Sequence, residues 1–126
     1  MIAADTSTWI AFLEGDGGED VEMLAKALGD RQVVMVPPVL TDLLSDPKLS
    51  SSAARTLSEV PLIEIEFAYW QRAGMLRARV SARTRKARLG DALIAQSCID
   101  ARVSLITRDR DFRAFAEAAA LDLIVG

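Results

Sequence analysis

Short apolar runs alternate along the chain with longer stretches in which apolar residues recur at helical spacing. Ile2–Ala4 reads as a short buried strand that ends at Asp5, and Trp9, Ile10 and Leu13 then give 6–14 the period of a helix, which Gly15, Gly17 and Gly18 break. A second helix is expected over 19–28, with Val21, Leu24, Ala25 and Leu28 on one face and Gly29 and Asp30 as its stop. Residues 33–36 form an apolar strand, and Pro37 and Pro38 end it and open a helix through Leu44, because proline suits a first helical turn. The pattern continues as a helix over 50–58, a strand over 62–65, and helices over 67–84 and 91–101. It closes with a strand over 104–107, a helix over 112–119 and a strand over 121–125.

Strands separated by helices require crossover connections and so a mostly parallel sheet flanked by helices, an α/β class of domain. With 126 residues and no repeat or low-complexity linker, one domain over 1–126 is expected. About half the residues (51%) are apolar, enough for a core and unlike a disordered chain. No apolar run approaches the ~20 residues of a membrane span. The start, MIAADTSTW, has no basic region of the kind that opens a signal peptide. The single cysteine, Cys98, allows no intrachain disulfide and suits a reducing cytoplasm.

Histidine is absent, which removes imidazole-based dyads and triads and the zinc sites that need it. A metal would be held by oxygen, which favours Mg2+ or Mn2+. Ligands of parallel sheets bind beyond the carboxyl ends of the strands, and Asp5 and Asp109 each fall just past one. Asp5 and Asp91 each also fit a helix N-cap, Asp111 fits the cap of the last helix, and Asp42 fits a solvated helix face beside Val39, Leu40, Leu43 and Leu44. Thr6, Ser7 and Thr107 offer hydroxyls near the same mouth. Asp5, Asp91 and Asp109 sit at element junctions that a parallel sheet could gather at one end, where like charges need a cation or a proton.

The net charge is −3, yet Arg72, Arg77, Arg79, Arg83, Arg85, Lys86 and Arg88 follow one another with no acid between them and lead into the segment of Asp91. Such a ridge suits a phosphate chain or an acidic partner, and equally a solvated helix face. Trp9, Phe112, Phe115 and Cys98 read as core, while Tyr69 and Trp70 fit either core or self-association.

MIAADTSTWI, PPVLTDLLSD, RLGDALIAQSCIDA and LITRDRDF, in this order and spacing, resemble the PIN-domain nucleases and, among them, the VapC-type toxins of toxin–antitoxin pairs. The resemblance spans essentially the whole chain. It implies a PIN-like three-layer domain and four acids around Mg2+ or Mn2+. Asp5 matches the first acid, Asp91 the third, Asp109 the fourth, and Thr107 a frequent Ser/Thr. Asp42 stands where the family usually has Glu, one methylene longer, which makes a water-bridged contact plausible there. The resemblance further implies hydrolysis of an RNA substrate, a VapB-like antitoxin and a homodimer. A degenerate domain that binds RNA or protein without cutting is the alternative. A dehalogenase-like phosphotransferase would want an acid where Ser7 stands, and none of Lys26, Lys48 and Lys86 follows a late strand as a receiver domain requires.

Overall fold

The computed structural model describes residues 1–84 and 86–125; Arg85, a member of the basic run, lies outside the described residues. Among those residues the order is β1 (Ile2–Ala4), α1 (Thr6–Leu13), α2 (Glu19–Gly29), α3 (Pro37–Leu44), α4 (Ser51–Glu59), α5 (Tyr69–Ser81), α6 (Leu89–Ala101), β2 (Ser104–Thr107), α7 (Phe112–Ala118) and β3 (Leu123–Val125). The three strands run parallel in the order β1-β2-β3, with Ala3 opposite Leu105 and Leu105 opposite Leu123.

Two expected strands are reduced to single bridges. Val33 pairs with Ile2 and Met35 with Leu62, both parallel, so the sheet is extended beyond β1 without regular strands. Pro37 explains one case, because α3 begins there and cuts the extended run short. In the other, extended pairing is confined to the Met35 amide donating to Pro61 O and the Ile63 amide donating to Met35 O. Connectivity thus passes from β1 to one side (33–35, then 62) and returns to the other (β2, then β3). The point where that order reverses lies between the ends of β1 and β2.

Helix bounds shift for local reasons. α5 starts at Tyr69 instead of Phe67 because Ala68 adopts a left-handed conformation (φ 58°), and it ends at Ser81. On α2, Ala25 is exposed and Ala27 is buried in its place, together with Asp20. β3 begins at Leu123, two residues later than the apolar run suggests. The core holds Trp9, Phe112, Phe115 and Cys98, as expected, together with Leu105 and Ile106 of β2. α6 is buried over most of its surface, which fits its small and aliphatic composition. Tyr69 is core, its hydroxyl donating to Leu93 O, whereas Trp70 is exposed. No helix among the described residues is long and apolar enough to cross a membrane.

Candidate metal centre at the carboxyl end of the sheet

Asp5 leaves β1 as the N-cap of α1. Its Oδ1 accepts the cap bond from the Thr8 amide (3.1 Å) and a bond from Ser7 Oγ (2.8 Å). Its Oδ2 accepts from Thr107 Oγ1 at 2.6 Å, across the sheet. The Asp5 amide donates to Ile106 O, so pairing with β2 continues to the level of Thr107. A carboxylate has about four acceptor positions, and these bonds leave one for another ligand. Asp5 is only 3% exposed. Burial raises its pKa, against the lowering by Thr107, Ser7 and Thr8, and nearby Asp109 raises it further.

Thr107 is a junction. Its hydroxyl donates to Asp5 and accepts from the Asp109 amide (2.9 Å), so the end of β2 fixes the loop that carries Asp109. Asp109 in turn accepts the Asp111 amide on Oδ1 (2.9 Å). Asp111 occupies the N-cap position of α7, but its side chain makes no cap bond. It faces Lys86 Nζ (3.8 Å) and Arg88 Nη2 (3.9 Å).

Asp91 is not the N-cap of α6. Arg88 takes that position and Asp91 lies within the first turn, where a negative charge is favoured by the helix dipole. Its Oδ2 is buried with no hydrogen-bond partner. Burial, and then the repulsion of Asp109, raise its pKa to about 6 despite the lowering by Arg88; Asp111 and Asp5 add smaller repulsions. Asp42 projects from α3 and is exposed.

Asp5, Asp42, Asp91 and Asp109 all line one cleft of about 510 Å³, together with Ser7, Pro38, Arg88 and Phe112. Asp111 is not among its lining residues. The four acids surround the cleft and do not close on a point: among the described residues, no three acidic groups stand at metal-ligating spacing. The orphaned Asp91 Oδ2 and the oxygen-only donor set are chemically suited to a hard divalent ion.

Two further residues of this region are not marked by any pattern in the sequence. Asp20, at the start of α2, is buried, and Arg108 pairs with it between Thr107 and Asp109. Neither carries a local signal, because the partners lie 88 residues apart.

The model of the PIN domain family matches residues 2–118. No curated protein matches the chain. Among solved structures, the chain is similar to VapBC-5 of Mycobacterium tuberculosis, a member of the VapBC family of toxin–antitoxin systems, with 19% identity and TM-score 0.69 over 99% of this chain and 98% of that one. VapBC2 of Rickettsia felis, bound to a DNA fragment from its promoter, gives 19% identity and TM-score 0.69 over 100% and 99%. A toxin–antitoxin complex of Klebsiella pneumoniae gives 24% and 0.66 over 89% and 90%. At these identities the likeness is one of fold.

Proposed function

The chain belongs to the PIN domain family, and from that premise we propose that it is a divalent-metal-dependent endoribonuclease, the VapC-like toxin of a toxin–antitoxin pair. The observation that carries this reading is the cleft at the reversal point of the sheet, lined by Asp5, Asp42, Asp91 and Asp109 with the Asp91 Oδ2 left unpartnered. Ligands of open parallel sheets bind at that point.

Asp5 and Asp91 would hold Mg2+ or Mn2+, and Asp109 would complete the set or orient water. Asp42, short and exposed, would act through water. When bound, the ion lowers the pKa of a water and offsets charge developing on the phosphate. Without histidine, proton transfer falls to a carboxylate. Asp109 suits that task, because Oδ1 is fixed by the Asp111 amide while Oδ2 is free of hydrogen bonds within the described residues. Arg88, at the cleft, and Lys86 beside it would receive the RNA backbone.

An antitoxin partner is supported by the toxin–antitoxin neighbours. Beside the cleft, and sharing Ile10 and Asp42 with it, runs a groove with Leu13, Leu43 and Leu49 in its lining and Glu14 and Asp46 at hand. A segment with apolar and basic faces would fit it. Self-association is supported by Phe67 (94% exposed), Trp70 and Met75, which expose apolar surface on and beside α5. The absence of a membrane-spanning helix among the described residues is compatible with a cytoplasmic role.

Incubation of purified protein with single-stranded and structured RNA tests the reading. Cleavage that needs Mg2+ or Mn2+ and stops with chelator or Asp5→Asn supports it. Equal cleavage by both proteins in chelator contradicts it, and RNA binding without cleavage favours the degenerate domain.

A further inference from the structure

Asp20 is 2% exposed, and a buried carboxylate is costly unless its oxygens are satisfied. Here Oδ2 accepts from Arg108 Nε (2.8 Å) and Thr8 Oγ1 (2.9 Å), and Oδ1 accepts from Arg108 Nη2 (2.9 Å). Arg108 Nη2 also donates to Gly17 O at 3.2 Å. The Arg108 bonds hold the Asp20 carboxyl below the usual carboxylate range, although burial acts against them. A two-point guanidinium–carboxylate pair with one partner buried is stiff, unlike a single surface ion pair.

What this pair touches is informative. Thr8, which donates its hydroxyl to Asp20, donates its amide to Asp5. Arg108 is the residue between Thr107, which bonds Asp5, and Asp109, whose amide bonds Thr107. Two routes therefore leave Asp20 and end on cleft acids. One passes through Thr8 to Asp5 and the other through the Arg108 backbone to Asp109. The α1–α2 loop is shaped to admit the pair: Gly18 has φ +139°, and a Cβ there would meet Asp20 Oδ1 at 2.7 Å and Arg108 Nη2 at 3.0 Å.

We infer that Asp20 and Arg108 are positioning residues that set the spacing of Asp5 and Asp109 for the divalent ion, without touching ion or substrate. The inference rests on the proposed metal-dependent reading of the cleft. Groups that orient metal ligands in this way typically change metal affinity about 10- to 100-fold when removed.

The test is Mn2+ affinity, read from the spin-resonance signal of free Mn2+, alongside the unfolding transition of each variant. Asp20→Asn, Arg108→Gln and the double variant are compared with wild type, with Asp5→Asn as the reference for loss of the site. The expected result is about tenfold weaker Mn2+ binding in each single variant at temperatures where it is folded. The double variant should be no weaker than the weaker single one, because both break the same link. Arg108→Lys, which keeps the charge but only one contact point, should fall between. A merely structural pair would lower the melting temperature and leave Mn2+ affinity within twofold of wild type, and that result overturns the inference while the metal reading stands. If the wild type shows no Mn2+ binding that depends on Asp5, both fail. If Arg108→Gln, which strands the buried Asp20 carboxylate, does not fold, Asp20→Asn and Arg108→Lys decide, since Arg108 is partly exposed and its head group can be solvated.

Discussion

Asp91 bears a cost that its neutral isostere would remove. Its pKa is raised from 3.8 to about 6, chiefly by burial and by the nearby Asp109. The folded protein therefore binds this proton more tightly than the unfolded chain, and stability falls as pH rises from about 4 through about 6. Two units correspond to about 3 kcal/mol at most, and partial exposure of the side chain reduces this to about 1–2 kcal/mol. In chelator at pH 7.5, Asp91→Asn should be more stable than wild type by that amount, or about 3–8 °C in melting temperature for a chain of this size. The difference should shrink toward zero as pH falls to about 4. Adding Mn2+ should reverse the order, because the ion stabilises only the chain that binds it. Thermal unfolding of both proteins across pH, with and without Mn2+, reads all three effects. A variant less stable than wild type in chelator at pH 7.5, or a gap that does not change with pH, is incompatible with a destabilising buried charge at Asp91.

Thr107→Val removes the hydroxyl that joins Asp5 to the Asp109 loop; it should cost about 1–3 kcal/mol in urea unfolding, since both partners lose a buried bond. Leu105→Ala, at a fully buried position of β2, should cost about 2–5 kcal/mol in the same assay. Lys86→Gln with Arg88→Gln should weaken single-stranded RNA binding and lower the slope of log affinity against log salt by roughly 1–1.5, measured by filter binding or anisotropy. Phe67→Ser with Trp70→Ser should convert a dimer to a monomer in light scattering if this exposed patch is covered by a second copy.

Residues whose role follows from local sequence were legible. Asp5 and Asp109 follow apolar runs at the ends of β1 and β2, and that pattern alone puts both at one end of a parallel sheet. Thr107 was readable for the same reason. For Asp91 the sequence points to the right end of α6 but misplaces the cap: Arg88 caps the helix three residues earlier, so Asp91 lies inside the first turn. The apolar runs at 33–36 and 62–65 overstated the sheet, because an apolar run reports burial and not ladder hydrogen bonding, and these segments keep only isolated bridges. Asp20 was invisible among the acids that open α2. Its burial depends on Arg108, 88 residues away, and no periodicity reports such a pair.

Anomalous diffraction from crystals grown with Mn2+ addresses the carboxylate cleft itself. A manganese peak is expected within coordination distance of oxygens of Asp5 and Asp91, absent from Asp5→Asn crystals grown alike. Ordered manganese found only outside the cleft, or a cleft without a peak at saturating Mn2+, would contradict the metal reading of the cleft.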